Sequence, residues 1–317
     1  MASNKKSDKV IRIAIVISVI FCLAMLFLGY KIGSQKIVYQ TEKSSVMYVY
    51  DISDISTLDE SIYNDRIYLA KDIVITDPNF RIGSEAVPFE GVFDGQGHTV
   101  TFAYSEATSQ TSLFGYLSPN AVVRNVNFVF DTITVSGTTF GGIARINDGK
   151  VENCKLVYNS LVLTDSGMFS PFVTINRGTI SSVVISGELK GNVDASKENE
   201  IFFGNVCVYN SGTLKSAIVT ANYSDIKCTD ELNILKGAAK NLGISSVRYN
   251  DVENGTTERV AAILPKGQFT TDKTSVVEFT NAQSVFYDEK IFDALDFNNN
   301  YWKIEEQDLT LIMTGEG

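Results

Sequence analysis

Residues 89–101, FEGVFDGQGHTVT, introduce the pattern that the rest of the chain follows. Three glycines stand in a short apolar frame. Asp94-Gly95 is a dipeptide typical of tight turns, because glycine accepts a positive φ without steric cost. The alternating residues His98–Thr101 predict a strand after this turn, and Tyr68–Ile75 predicts another strand before it. We expect the chain beyond this stretch to repeat the same unit of turn and strand.

Three later segments align without a gap and share aromatic, polar and small positions. A phenylalanine opens each segment, an asparagine stands seven residues later, and a glycine follows two residues after the asparagine. Columns that recur in register predict a stack of phenylalanines inside the fold and a ladder of asparagine amides at one corner. The segments are Phe140–Leu156 (FGGIARINDGKVENCKL), Phe169–Ile185 (FSPFVTINRGTISSVVI) and Phe203–Val219 (FGNVCVYNSGTLKSAIV), with the asparagine column Asn147, Asn176 and Asn210 and the glycine column Gly149, Gly178 and Gly212.

Two weaker copies extend this array on either side. Phe114–Phe128 is two residues shorter and has Ala121 in the glycine column, whereas Leu242–Val260 carries an insertion and has Gly255 in that column. The opening phenylalanines at positions 114, 140, 169 and 203 are 26, 29 and 34 residues apart. A constant core with variable intervals indicates insertions on one loop face of a solenoid.

Each copy also contains one run of β-branched residues with a period of two, which predicts a strand. The segments between these runs lack the period of a helix, which excludes βαβ units. The repeated Asn-x-Gly corners are expected to supply left-handed backbone. The sequence therefore predicts an all-β fold, a parallel β-helix of stacked coils, with strands at Val122–Val129, Val151–Val157, Ile180–Ile185 and Leu214–Val219.

The N-terminal run Val10–Tyr30 (VIRIAIVISVIFCLAMLFLGY) is apolar, and from Ile13 onward it carries no charge. This length suits a helix that crosses a hydrocarbon core of about 30 Å. The basic residues before the run predict a cytoplasmic N-terminus by the positive-inside rule. A cleaved signal peptide is the alternative, but it would need a shorter apolar core and a clear small-residue cleavage site. We therefore expect a single-pass anchor with the remaining chain outside the cell membrane.

Residues 51–67 are expected to form an N-terminal cap, because Ser56 or Thr57 can cap a short helix there. Residues 286–313 are expected to form a C-terminal cap, with Trp302 closing the last turn. The complete predicted division is a cytoplasmic tail (1–9), a transmembrane anchor (10–30), a stalk (31–50) and an extracytoplasmic β-helix domain (51–317).

The charge of the 317-residue chain is −10, and it is unevenly distributed. Residues 1–36 carry a balance of +5, so the remaining chain carries −15. An acidic body argues against binding nucleic acid or an anionic surface through that body. His98 is the only histidine, and the four cysteines show no CxxC or Cys/His spacing. Neither a zinc site nor a disulfide scaffold is predicted, and no cofactor is expected.

The acidic residues are the candidates for catalysis, because glycoside hydrolysis uses two carboxyl groups about 5–9.5 Å apart. Asp94 is interpreted as a turn-capping residue, and His98 as a hydrogen-bonded structural histidine. Lys150, Arg177 and Lys215 fall near one corner in loosely matching columns, which indicates solvated surface. The sequence therefore predicts no catalytic, cofactor-binding or metal-binding residues. The acidic pairs all lie off the repeat strands: Asp51 with Asp54, Asp59-Glu60, Asp230-Glu231, Asp288-Glu289 and Glu305-Glu306.

Several motifs, in order along the chain, resemble bacterial cell-surface proteins with GLUG-type repeats. The resemblance implies a right-handed parallel β-helix that is exported and attached to the cell surface. It also implies a setting of adhesion and carbohydrate-rich envelopes, and little about activity. The motifs are YLAKDIVI (68–75), RIGSEAVPFEGVFDGQGHTVT (81–101), LFGYL (113–117), NAVVRNVNF (120–128) and a closing FDALDFNNNYWKI (292–304).

These observations favour a non-catalytic binding or scaffold module of the bacterial envelope, in adhesion or in surface polysaccharide assembly. Its expected partners are the lipid bilayer, through residues 10–30, and an envelope glycan or another membrane protein. One alternative is a polysaccharide lyase or hydrolase on the same fold. Another is a subunit of a membrane complex, held through one side of the anchor helix (Ile13, Ile17, Ile20 and Met25).

Overall fold

A computed structural model of the chain describes residues 46–56, 63, 65–164, 167–193, 201–228, 247–250, 256–263, 276–279, 295–305 and 308–312. The chain divides into two compact units, 1–43 and 44–317, and all of the described residues belong to the second unit. The predicted tail and anchor, and most of the predicted stalk, lie outside these residues. Within the described ranges, no helix combines the length and the apolar content that crossing a membrane requires.

Short parallel strands make up almost all of the described chain. In chain order the elements are β1 (Val46–Val49), α1 (Ile52–Ser56), β2 (Arg66–Leu69), β3 (Ile73–Ile75), β4 (Val92–Asp94), β5 (Thr99–Phe102), β6 (Glu106–Ala107), β7 (Phe114–Leu117), β8 (Val122–Val135), β9 (Thr139–Gly141), β10 (Ala144–Asn147), β11 (Lys150–Leu163), β12 (Gly167–Ser170), β13 (Val173–Asn176), β14 (Thr179–Val193), β15 (Ile201–Phe203), β16 (Cys207–Asn210), β17 (Thr213–Cys228), β18 (Val247–Asn250), β19 (Thr256–Ile263), β20 (Val276–Phe279), β21 (Trp302–Glu305) and β22 (Asp308–Leu311).

Three parallel sheets run along the molecule. The long sheet follows the order β1-β2-β4-β8-β11-β14-β17-β19-β20, with β3, β5 and β6 beside it. The second sheet has the order β18-β16-β13-β10-β7, and the third has the order β15-β12-β9. The three coils formed by β9–β11, β12–β14 and β15–β17 each contribute one strand to each sheet, and equivalent strands of successive coils pair. The predicted parallel β-solenoid is therefore confirmed, with about four turns.

The predicted columns of the repeat are confirmed by the strand register. Phe169 pairs with Phe140 on one side and with Phe203 on the other, and all three side chains are buried. The predicted asparagine ladder forms at the ends of β10, β13 and β16, where the second sheet meets the corner. Asn147 Nδ2 donates to Asn176 Oδ1 at 2.7 Å, and Asn176 Nδ2 donates to Asn210 Oδ1 at 2.7 Å.

The first repeat copy is shifted relative to the predicted alignment. Phe114 pairs with Ala144 rather than joining the phenylalanine column, and Leu117 occupies the position of the asparagine in the next coil. Ala121 does hold the glycine column, because the residue after it pairs with Lys150. The turn between β7 and β8 is longer than its equivalent between β10 and β11, and this displaces the earlier part of the copy.

Left-handed backbone occurs at a different column from the one predicted. The glycine column does not have positive φ; a Cβ on Gly178 would instead overlap the carbonyl oxygen of Gly149 in the previous coil. Glycine is required there because successive backbones approach closely at the corner. The left-handed residues lie four positions later, within the long strands, and bend each coil: Asn125 (φ 55°), Asn153 (51°), Ser182 (54°) and Ser216 (58°).

In the opening turn, too, the residues with positive φ differ from the glycine that is required for its small size. Positive φ falls on Gln96 (52°) and Gly97 (88°), and the His98 amide donates to the Gly95 carbonyl at 2.8 Å. Gly95 itself is needed because a Cβ there would overlap the Asn125 carbonyl oxygen of the next coil. The predicted turn is present, but its left-handed residues are the two that follow Gly95.

The N-terminal end of the solenoid begins earlier than predicted. β1 lies in the segment assigned to the stalk, yet it pairs with β2 as the first strand of the long sheet. The helix α1 follows and is capped by Asp51, whose Oδ1 accepts from the Ser53 amide, while Asp54 Oδ2 accepts from the Asp51 amide, both at 3.0 Å. Asp51 is thus a side-chain N-cap, and Asp54 supplies the reciprocal bond of a capping box. The helix spans Ile52–Ser56, and the segment after it, where Ser56 or Thr57 is predicted to cap a helical turn, lies outside the described residues.

The C-terminal strands β21 and β22 form an antiparallel hairpin on the outer side of the long sheet. Trp302, Leu309 and Leu311 are buried in a second apolar cluster with Val184 and Ile218. Val184 and Ile218 are register partners on β14 and β17, and their neighbours along each strand belong to the inner core. Trp302 therefore packs on the side of the solenoid and does not close its last turn. The physical reason is that Val184 and Ile218 form an outward apolar stripe whose burial is favourable.

Candidate functional site

One outward column of the long sheet carries polar and charged side chains on successive strands. The register places Asp94, Arg124, Glu152, Ser181 and Lys215 beside one another on β4, β8, β11, β14 and β17. The residue before each of them is buried in the apolar core, so alternation along the strand directs these five side chains away from that core. Asp94 and Ser181 are themselves covered and buried. We call this row the charged column; its members are spaced by the strand separation of about 4.8 Å.

Asp94 and Arg124 form the most closely bonded pair of the charged column. Arg124 Nε donates to Asp94 Oδ2 at 2.7 Å, and Asp94 Oδ1 accepts from Asn125 Nδ2 at 3.1 Å and from the Gln96 amide at 3.0 Å. Burial by itself lowers the pKa of Arg124, but the hydrogen bond and charge of Asp94 outweigh it and raise that pKa. Asp94 therefore holds a charged guanidinium in a fixed position.

Arg124 has hydrogen-bonding capacity beyond this pair. It bonds to Asp94 through Nε, and no described residue accepts a hydrogen bond from its two terminal amino groups. Glu152 and Tyr301 are near enough to interact electrostatically with the guanidinium. Glu152 also pairs with Lys150 Nζ at 2.5 Å. A planar donor, a carboxylate, an ammonium and a phenol thus lie together, and these are groups that hydrogen-bond to hydroxyl-rich ligands.

Aromatic side chains continue the charged column toward the N-terminal end. Tyr68 is the register partner of Asp94, and Tyr48 is the partner of Tyr68. The two tyrosine rings are stacked, with centroids 5.7 Å apart and an interplanar angle of 29°. The outer surface of the long sheet therefore changes from aromatic to charged along the solenoid axis.

A second polar cluster lies at the corner of the second sheet. Tyr116 donates from its hydroxyl to Asp148 Oδ2 at 2.5 Å, and Arg177 Nε donates to Asp148 Oδ1 at 2.6 Å. The Arg177 guanidinium lies 5.9 Å from the centroid of the Tyr116 ring. The hydrogen bond to Asp148 is the main reason why the pKa of Tyr116 is raised. All three groups satisfy one another, so this cluster stabilises the corner.

Asp94 and His98, singled out in the sequence, occupy different environments. His98 Nδ1 lies 3.3 Å from Asp72 Oδ1, which also accepts from the Thr99 amide at 2.8 Å. This agrees with the predicted structural histidine. Asp94 caps its turn through the Gln96 amide, as predicted, but its pairing with Arg124 exceeds that role. The two residues therefore do not share one hydrogen-bonding cluster.

The three basic residues predicted to fall near one corner do not form a site. Lys150 pairs in register with Thr179, whereas Lys215 belongs to the charged column. Arg177 is bound to Asp148 directly before the glycine column, so the three residues do lie near one corner, as predicted, but in different columns. Among the acidic pairs, Asp51 and Asp54 cap α1, and Glu305 bonds to Lys303 at 2.6 Å. The pairs at 59–60, 230–231 and 288–289 lie outside the described residues, as does Glu306.

The described cysteines are packing residues. Cys154 and Cys207 are free thiols inside the core, and burial raises the pKa of each. Within the part of the chain that the structure describes, no group of three or more histidine, cysteine or acidic side chains is arranged to hold a metal ion.

Sequence reasoning missed Arg124 and Glu152, although a signal was available. The members of the charged column each follow a small residue of the glycine column by three positions, as Arg124 follows Ala121 and Glu152 follows Gly149. This offset of three positions from the glycine column identifies the charged column once the register is known.

The comparisons with known proteins add no assignment. No protein-family model matches the chain. No curated protein and no solved structure matches it significantly. The parallel β-solenoid is therefore established by the chain's own register, without a family.

Proposed function

We propose that this chain is a membrane-anchored, outward-facing β-solenoid that binds or holds a glycan of the bacterial envelope. The observation that carries the proposal is the charged column, in which Arg124 is fixed by Asp94 and keeps two amino groups for a ligand. The uncharged run Ile13–Tyr30 supports the anchor. The protein then contributes to adhesion or to surface polysaccharide assembly without catalysing a reaction.

The form of the surface supports an extended, hydroxyl-rich ligand. Its side chains stand on parallel strands whose inner faces are fully packed, so binding orders few groups and loses little conformational entropy. The row has a regular spacing of about 4.8 Å, which suits a chain that runs along the solenoid axis. The balance of −15 outside residues 1–36 disfavours polyanions. The ligand is therefore a neutral or zwitterionic glycan.

The likeness of FEGVFDGQGHTVT to GLUG-type repeat proteins supports the same setting. That likeness implies export, surface attachment and a right-handed coil. It gives no ligand, so the choice of a glycan rests on the chemistry of the charged column.

Binding of neutral envelope polysaccharides to the full-length chain in lipid nanodiscs tests the proposal. Arg124→Lys keeps the charge beside Asp94 but removes the planar pair of amino groups, and we expect about tenfold weaker binding. Arg177→Lys, at an arginine that is bound to Asp148 and lies outside the charged column, is the matched control and should bind normally. Equal binding by the two variants, or no binding of any neutral glycan by the parent chain, contradicts the proposal.

One observation favours a second candidate, a glycoside hydrolase on the same fold. Asp94 and Glu152 flank Arg124 on one column, so their backbones are two strand spacings apart, about 10 Å. Carboxyl groups at comparable separations serve inverting hydrolases. Cleavage of a polysaccharide by the parent chain, abolished in Asp94→Asn, would replace the binding proposal with this one.

A further inference from the structure

Exposed apolar side chains are concentrated at the N-terminal end of the solenoid. The large hydrophobic residues most exposed in the described chain are Val46, Tyr48, Tyr50, Val74 and Val157, and the first three lie on β1 or directly after it. Val46, Tyr48 and Tyr50 alternate with the inward residues Met47 and Val49 and are each more than half exposed. Clusters of this kind mark interaction surfaces.

We propose that Val46, Tyr48 and Tyr50, with the stacked Tyr68, form a membrane-contacting patch that rests on the lipid surface beside the anchor. This inference rests on the proposed function, because it requires the anchor at residues 10–30 to lie in a bilayer. We call the four residues the tyrosine patch.

The length of chain before the tyrosine patch supports a lipid surface as its occupant. Only the 15 residues from Lys31 to Ser45 separate the predicted end of the anchor from Val46. A fully extended chain of that length reaches about 50 Å at most. The patch therefore lies on the part of the solenoid with the shortest covalent connection to the membrane.

The chemistry of the tyrosine patch matches the interfacial zone of a bilayer. Tyrosine is enriched there because its ring enters the apolar boundary while its hydroxyl remains among headgroups. Arg66, the register partner of Val46, is exposed beside the patch, as is Lys71. These two cations complement lipid phosphates. The Asp51 carboxylate beside Tyr50 accepts hydrogen bonds from Ser53 and so faces the helix cap.

The size of the patch disfavours a second copy of the chain as its occupant. A stable protein interface engages about 20–30 residues on each side, whereas the patch consists of four side chains. A few interfacial tyrosines suffice when a covalent anchor already holds the protein at the membrane, because their role is to orient the solenoid.

Lipid quenching of an introduced tryptophan tests the inference. The full-length chain is reconstituted in phosphatidylcholine vesicles that contain a headgroup spin-labelled lipid, with Tyr48→Trp as the test variant. Val157→Trp is the matched control, because Val157 is also an outward, exposed residue of the long sheet. Both variants retain the buried Trp302, which contributes the same background. Circular dichroism establishes that both are folded.

We expect the spin-labelled lipid to cause loss of fluorescence at position 48 and little loss at position 157. Absence of quenching at position 48, in vesicles from which alkaline carbonate does not extract the protein, overturns the patch and leaves the anchor intact. Cross-linking of two chains through the tyrosine patch, without quenching, also overturns its assignment as a lipid contact. Extraction of the protein by carbonate instead removes the anchor, and with it both the proposed attachment and this inference.

Discussion

The indole Nε1 of Trp302 donates a hydrogen bond of 3.3 Å to Oδ1 of Asn153. Asn153 is the left-handed residue at which β11 bends. One residue therefore turns its coil and also fastens the C-terminal hairpin, which lies 149 positions later in the chain. On the same strand, Lys155 Nζ donates to the Leu309 carbonyl at 2.8 Å and adds a second attachment.

Truncation of Trp302 should detach the hairpin. Trp302→Ala removes the indole hydrogen bond and the cover over Val184 and Ile218, and we expect a loss of about 3–5 kcal/mol in the free energy of unfolding. Urea denaturation followed by circular dichroism measures this loss. Lys303→Ala, which alters an exposed side chain of the same hairpin, is the control. If the two variants unfold at the same urea concentration, the hairpin does not stabilise the solenoid.

The middle residue of the asparagine ladder should matter most. Asn176 takes part in both ladder bonds, whereas Asn147 stands at the end, opposite Leu117. Each buried polar group left without a partner costs about 1–3 kcal/mol. Asn176→Ala is therefore expected to destabilise the protein more than Asn147→Ala, by at least about 1 kcal/mol. Thermal and urea unfolding of the two variants test this order, and the reverse order would refute the ladder's contribution.

A methyl group in the glycine column should be poorly tolerated. Gly178→Ala places a Cβ against the Gly149 carbonyl oxygen, which belongs to backbone and cannot move independently of its coil. We expect a loss of about 3 kcal/mol or more. Thr179→Ala, at the next position on β14, provides the control in the same unfolding assay. A Gly178→Ala protein as stable as this control would mean that the coils are farther apart at the corner.

The column of left-handed residues should tolerate glycine, whereas the glycine column should not tolerate a methyl group. Ser182 has a φ of 54°, which costs an L-residue about 1–2 kcal/mol and costs glycine almost nothing. Ser182→Gly is therefore expected to leave stability unchanged or to raise it slightly. Ser181→Gly, in extended backbone one residue earlier, should lower it by about 0.5–1 kcal/mol. Melting temperatures decide the matter, and destabilisation of similar size at both positions would argue against the bend at Ser182.

The buried thiols should make the protein sensitive to alkali. Burial raises the folded-state pKa of Cys154 and Cys207, so above pH about 8.5 the unfolded chain binds fewer protons than the folded one. The free energy of unfolding therefore falls as pH rises, by about 1.4 kcal/mol per pH unit for each thiol. Urea unfolding at pH 8 and 9.5 measures the slope. Conversion of both cysteines to alanine should flatten it, and an unchanged slope would contradict their ionisation as the cause.

Much of the fold could be predicted because the repeat constrains its own register. Phe140, Phe169 and Phe203 align without a gap, and parallel strands of successive coils then place each column directly above the last. The same logic predicted the asparagine ladder. It failed at Phe114, which pairs with Ala144, because the turn between β7 and β8 is two residues longer than the turn between β10 and β11. A column can be identified only relative to a corner whose length is known.

The candidate site was less predictable than the fold. Asp94 stands in a glycine-rich turn that the sequence makes conspicuous. Its partner Arg124 lies 30 residues later, in a strand with no distinguishing motif. Only the pairing of β4 with β8 shows that the two side chains meet. The distance in sequence hides the contact, although the offset of three residues from the corner would have identified both positions.

The sequence by itself determined the parallel coil, its period and its inner columns, because identical local patterns stack most stably when they are in register. The tertiary structure alone decided where the chain bends and where its end lies. The left-handed conformation occurs at Asn153 and Ser182. At the corner, glycine is required for its small size, because successive backbones approach closely there. Trp302 lies on the side wall because Val184 and Ile218, more than 80 residues earlier, present an outward apolar stripe whose burial is favourable.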